Sequence, residues 1–261
     1  FPLLVHYVVY FQFTANYTQN LFSEQSFTEF YNSRVYQSRQ LGKHVHLWAY
    51  HKLLTWKKIQ KLAQNPYSSE RLRHLDKNAD IVFYLTYFFV AAFFSVLTSI
   101  LMLYLFDDQT LFPFSQNRKD FIVCFLVLMI GITQFVVTPY DAIGYFFEAF
   151  AMLLFLKYLK TKNRLLYLGF LAAIVLATFN RESSLIIVSF TAAIFYTENG
   201  FSKKWFRQLL LPALCFAIPY LILKLLPGKD NSFTNESQLI FNFNITNPYS
   251  VMGLLFSAFI I

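Results

Sequence analysis

The 261-residue chain is 56% hydrophobic and only 14% charged, with 20% of its residues aromatic. That balance excludes an ordinary water-soluble domain and identifies a polytopic membrane protein of all-α type, a transmembrane helix bundle. The formal charge of +8 does not call for nucleic acid, because Lys and Arg fall largely between apolar runs, where they set membrane topology.

In chain order, a single transmembrane domain is expected to begin with a partial span at 1–13 and a long loop at 14–80. Strong spans follow at about 81–106, 121–138, 142–159, 165–179, 184–196 and 209–226, and a second partial span at 250–261 closes the sequence. Phe1 is not an initiator Met and 250–261 reads as a helix just begun, so both ends are expected to be cut. Inside the long loop, residues 41–63 (LGKHVHLWAYHKLLTWKKIQKLA) set Val45, Trp48, Leu53, Trp56, Ile59 and Leu62 on one broad helical face. This pattern predicts an amphipathic helix lying on the membrane surface, or else a helix packed on other extramembrane elements. Residues 65–69 (NPYSS) then read as a turn.

The short loops at 158–164 and 198–207 carry Lys160, Lys162, Arg164, Lys203, Lys204 and Arg207, which assigns them to the cytoplasm. Alternation makes 107–120 cytoplasmic as well, and places 14–80, 138–141, 180–182 and 227–249 on the exoplasmic side. Lys224, near the end of its span, reads as a cation snorkelling to the interface. Cys124 and Cys215 lie in apolar runs with no second Cys or His nearby and read as packing residues.

Asn180-Arg181-Glu182 separates two apolar runs that are barely long enough to span. A helix of about fifteen residues rises ~22 Å, against a hydrocarbon layer of roughly 30 Å. If Lys162 and Arg164 hold the first run at one surface, the tripeptide stops inside the membrane profile. A charge facing lipid there costs at least ~2.5 kcal/mol, so Arg181 and Glu182 must face a wet, protein-lined cavity. The Arg181 fork suits a phosphate or carboxylate, as do the free N–H groups that start the next helix. Equally, Glu182 can cap that helix while Arg181 pairs with Asp141 or Glu148.

Asp141 and Glu148 are seven residues apart and so share a helical face, with Glu148 about two turns, roughly 10 Å, below the surface. A carboxyl at that depth is either functional or part of a structural ion pair. In the long loop, Glu24 and Glu29 could accept a proton from an attacking hydroxyl, while Arg34, Arg39, His44, His46 and His51 could neutralise a phosphate. Each of these also reads, singly, as a solvated loop residue. His44 and His46 do not face the same way on a helix, so they form no metal pair.

The long first loop with Tyr31-Asn32-Ser33-Arg34-Val35-Tyr36-Gln37-Ser38-Arg39, then Thr138-Pro139-Tyr140-Asp141 and Phe179-Asn180-Arg181-Glu182-Ser183, resembles the bacterial multi-span glycosyltransferases of GT-C type, among relatives of the lipid-linked mannosyltransferase group. The resemblance covers most of the chain as architecture, and Arg34, Arg39, Asp141 and 180–182 as motif-like positions. It implies transfer of a sugar from a polyprenyl-phosphate donor at the exoplasmic face, in the bacterial case of the inner membrane. In that family an acidic residue of the first exoplasmic loop commonly serves as general base. No Asp occurs before Leu75, which makes Glu29 the first choice for that role and Asp141 the second. Arg34, Arg39 and Arg181 would bind the donor phosphate, supported by Glu148, Asn180 and Glu182.

The implied partners are the lipid-linked donor and membrane lipids. No cofactor is implied; a divalent metal could neutralise phosphate charge, but no residue pattern demands one. A transporter or lipid flippase, and a non-catalytic membrane protein of the same fold, are the competing readings, since Glu148, Arg181 and Glu182 would equally suit ion coupling or headgroup passage.

Overall fold

The computed structural model describes residues 1–13, 22–32, 39–63, 79–107, 112–133 and 139–225. Over these the chain is all-α, with no strand among the described residues. The helices are α1 (Pro2–Phe13), α2 (Glu24–Tyr31), α3 (Gln40–Leu54), α4 (Lys57–Ala63), α5 (Ile81–Phe106), α6 (Gln116–Thr133), α7 (Pro139–Thr161), α8 (Arg164–Asn180), α9 (Leu185–Asn199) and α10 (Lys203–Leu225). A 3-10 turn, Glu182–Ser184, joins α8 to α9. The expected partial span at 250–261 lies outside the described residues.

Three helices are long and apolar enough to cross a membrane: α5 with 26 residues, Asp141–Thr161 of α7 with 21, and α10 with 23. The other expected spans correspond to shorter or more charged helices. Seventeen residues make up α8 and fifteen make up α9, while α6 begins ahead of the expected 121 and takes Arg118, Lys119 and Asp120 into its first turns.

Local chemistry fixes where these helices start and stop. The Asp80 carboxylate accepts the Val82 N–H at 2.8 Å, and Asn163 Oδ1 accepts the Leu165 N–H at 2.9 Å, so α5 and α8 begin at side-chain caps. Gly200, at φ +57° and ψ −166°, takes a positive-φ conformation that glycine adopts freely after the last turn of α9, and donates its N–H to Tyr196 O at 2.8 Å.

Contacts at the helix ends give the directions. Lys157 Nζ donates to Tyr104 Oη at 2.7 Å, and at the far end of the same two helices Ala142 shares a core with Phe83 and Tyr87, so α5 and α7 run parallel. Helix α8 turns back along α7, packing Phe170 and Ile174 with Phe155, Ile187 and Phe195. Helix α10 is tied to α9 where Asn199 Nδ2 donates to Gln208 Oε1 at 3.0 Å and Trp205 Nε1 donates to Ala192 O at 2.9 Å. On the other flank α1 packs against α5, with Tyr10 Oη donating to Tyr84 O. The starts of α5, α7 and α9 therefore share one end of the bundle with the finish of α8.

Helix α3 packs against that end. The helix expected over 41–63 is two helices: α3 stops at Leu54, Thr55 Oγ1 donates to Lys52 O at 2.7 Å, and α4 starts at Lys57. Its inward face also differs from the apolar stripe. Gly42, Lys43, His46, Tyr50 and Leu53 are buried, whereas Trp48 and Trp56 are 64% and 61% exposed. The reason is aromatic packing. His46 lies fully buried with ring centroids 4.8 Å from Phe27, 4.9 Å from Phe83 and 4.3 Å from Tyr87, and Tyr50 Oη donates to Asp80. The Leu62 side chain lies outside the described set.

Neither His46 ring nitrogen has a hydrogen-bond partner among the described residues, and burial lowers its pKa from 6.5 to about 3. Below pH 6.5 the unfolded chain takes up a proton that the folded chain refuses, so stability is expected to fall by about 1.4 kcal/mol per pH unit from about 6.5 toward 3. Thermal unfolding of the purified protein across that window should be flatter for His46→Phe than for wild type.

Helices α1 and α6 touch at Gly131, where a Cβ would stand 2.5 Å from Val5 Cγ1. Such close approach is what small residues provide between apolar helices. Gly131→Ala is expected to destabilise by about 1–3 kcal/mol through overpacking, although Ala is the better helix former by about 1 kcal/mol. A lowered unfolding midpoint would register the balance.

Candidate functional site

The cluster of interest is built around the break between α8 and α9. Arg181 is extended, at φ −162° and ψ 142°, so α8 ends at Asn180 and the chain re-enters helix only through the 3-10 turn. The break satisfies its own backbone: Arg181 N–H donates to Ala177 O at 2.8 Å and Ser184 N–H to Arg181 O at 3.2 Å. Across it, the hydroxyls of Thr178 and Ser184 lie 3.2 Å apart. Asn180 is fully buried against α7, where a Cβ on Gly144 would reach to 3.4 Å of its Nδ2.

Leaving helical geometry lets Arg181 extend toward α7, where Nη1 donates to Asp141 Oδ1. Asp141 is in the first turn of α7, a position where the helix dipole favours negative charge. Glu148, two turns further along α7, lies within electrostatic reach of both Arg181 and Asp141. Glu182 points to two other elements. Its Oε2 is 3.9 Å from Arg39 Nε, at the start of α3, and its Oε1 is 3.9 Å from Lys224 Nζ, at the end of α10. At that distance both pairs are electrostatic neighbours rather than hydrogen bonds.

Arg181 thus meets Asp141, with Glu148 in electrostatic reach, while Arg39 and Lys224 flank the neighbouring Glu182. Two short chains of ion pairs, joined through the adjacent residues Arg181 and Glu182, link α3, α7, the α8–α9 break and α10. Such a set can hold an anion between cationic groups and keep a carboxylate within reach of it.

Of the residues singled out from sequence, Arg39, Asp141, Glu148, Asn180, Arg181 and Glu182 belong to this region. Arg34 lies outside the described residues. Glu29 stands on the exposed side of α2, where Gln25 Nε2 donates to its Oε1 at 3.0 Å, and among the described residues it takes no part in the ion pairs. Glu24 pairs with His51 Nε2 at 3.2 Å, fastening α2 to α3. Lys224, read as a snorkelling cation, instead approaches Glu182. The rule that singles out Glu148, an ionisable residue in an apolar run, applies to Lys224 as well. Among the described residues no group of three or more His, Cys, Asp or Glu could hold a metal ion.

No protein-family model, no curated protein and no solved structure matches the chain.

The Arg181–Asp141 pair is partly withdrawn from solvent, its side chains 34% and 15% exposed. Asp141→Asn or Arg181→Gln alone is expected to cost about 1–3 kcal/mol, because each leaves a partly desolvated charge behind. The double variant should cost clearly less than the sum, and a thermal double-mutant cycle measures the difference.

Proposed function

We propose that the protein is a GT-C-like membrane glycosyltransferase that transfers a sugar from a polyprenyl-phosphate donor at the exoplasmic end of the bundle. The supporting observation is that two adjoining ion-pair groups, Arg181 with Asp141 and Arg39 and Lys224 with Glu182, stand at one end of an apolar helix assembly. A donor of this class keeps its tail in the bilayer and its phosphate at the interface, where cationic groups just below the surface are required.

Sidedness follows from charge. Lys160, Lys162, Arg164, Lys203, Lys204 and Arg207 lie at the opposite helix ends, the pattern of a cytoplasmic face. In a bacterial cell the membrane would be the inner one. The pair α3 and α4 fits an interfacial role, with Trp48 and Trp56 exposed beside Lys52, Lys57, Lys58 and Lys61.

In the proposed reaction the acceptor oxygen attacks the anomeric carbon, the bond from that carbon to the phosphate oxygen breaks, and the hydroxyl proton passes to a carboxylate. Arg181, with its planar fork, and Lys224 or Arg39 neutralise the departing phosphate. Asp141 is better placed for the base than Glu29, because it already stands beside the phosphate-binding arginine. Passage of an ion or headgroup is the second reading, favoured by Glu148 lying two turns beyond Asp141 on one helix.

Full-length protein in vesicles supplied with radiolabelled polyprenyl-phosphate sugars separates these readings. Arg181→Ala and Asp141→Asn are each expected to lower transfer by about 10² or more, with Glu29→Gln near wild type. Equal transfer by all variants would remove the assigned roles, and lipid translocation without transfer would favour transport.

A further inference from the structure

At the opposite end of the bundle, the close of α5 and the start of α6 enclose a cleft of about 390 Å³. Its walls include Ile100, Leu103 and Tyr104, which are 55%, 41% and 56% exposed, and its charged groups are Asp107, Lys119 and Asp120. Lys119 is the unusual member. It is 1% exposed, and among the described residues its Nζ makes no hydrogen bond and has Asp107 Oδ1, at 3.9 Å, as its counter-charge. An ammonium has three protons to donate, and leaving them unused in a buried place is costly.

The charges also stand against their own helices. Asp107 follows the last turn of α5, where the dipole disfavours an anion, and Lys119 lies near the beginning of α6, where it disfavours a cation. Helix stability therefore does not account for them. Asp120 is held in place by Gln116 Nε2, which donates to its Oδ1 at 3.0 Å, and Tyr104 is fixed by Lys157.

We infer that this cleft binds the headgroup of a phospholipid carrying a primary ammonium, a phosphoethanolamine headgroup. On binding, the Lys119 side chain turns outward to donate to the phosphodiester oxygens, and the ligand's ammonium donates to Asp107 and Asp120. The glycerol and first acyl carbons lie on Ile100, Leu103 and Tyr104, which already face outward. Two carboxylates against one cation disfavour a purely anionic headgroup, and a choline headgroup lacks the N–H donors the carboxylates accept. This site is separate from the cluster around Arg181 and does not depend on sugar transfer.

The test titrates full-length protein in detergent with short-chain phosphatidylethanolamine, phosphatidylcholine and phosphatidylglycerol, and with free phosphoethanolamine, reading the unfolding midpoint. Phosphatidylethanolamine should raise the midpoint saturably and more than the other two lipids do. Lys119→Gln should weaken that response at least tenfold in apparent affinity, and Asp107→Asn with Asp120→Asn should abolish the preference over phosphatidylcholine. Should Lys119→Gln lose its cooperative transition, the exposed Asp120→Asn variant carries the test alone through a reduced preference. Equal shifts with all three lipids, or a wild-type response from the Asp variants, would overturn the site. An equal shift with free phosphoethanolamine would overturn its assignment to a lipid.

Discussion

Arg181 is a charge set between two apolar helices, which leaves it little choice of neighbours. Asp141, offered by the first turn of α7, takes up that charge, and the consequences spread through the bundle. For the guanidinium to arrive, α8 must end at Asn180 and the backbone must become extended. For the break to survive, its polar groups must be satisfied locally, as the hydroxyls of Thr178 and Ser184 and the backbone bonds around Arg181 do. Glu182 then emerges on another side of the break, toward α3 and α10. One desolvation constraint thereby gathers side chains from distant parts of the sequence at one end.

Much of this was legible in the sequence, and for one reason. An ionisable residue inside an apolar run is rare enough to mark itself, which is how Asp141, Glu148 and Arg181 stood out. Lys224 escaped because a lysine near the end of a span has a cheap route to the interface, and only the fold brings Glu182 close to it. Glu29 illustrates the converse. A loop carboxylate suits the chemistry in principle, but nothing local tells whether its helix turns it toward the cluster or toward Gln25.

The inward face of α3 is chosen by something other than hydropathy, and the exposed tryptophans lie off it. Hydropathy ranks His and Tyr below Trp, so an apolar stripe runs through Trp48 and Trp56. Shape and aromatic surroundings choose otherwise: His46 slots among Phe27, Phe83 and Tyr87, and Tyr50 finds the Asp80 carboxylate. The halt at Thr55 was equally invisible, since neither Gly nor Pro marks it. A threonine hydroxyl bonding back to Lys52 O suffices.

The break at Arg181 also bears on the membrane itself. Helix α5, with 26 residues, is about 39 Å long, whereas α8, with 17, is about 26 Å and α9, with 15, about 22 Å. A bilayer meeting the two flanks would therefore meet unequal hydrophobic lengths. Were α8 and α9 to lie in the same bilayer as α5, lipid would have to thin beside them, or they would have to stand more upright, at a cost of fractions of a kcal/mol per Å of mismatch. In a bilayer the Arg181 side of the bundle would thus be its hydrophobically short side, and α5 its long one.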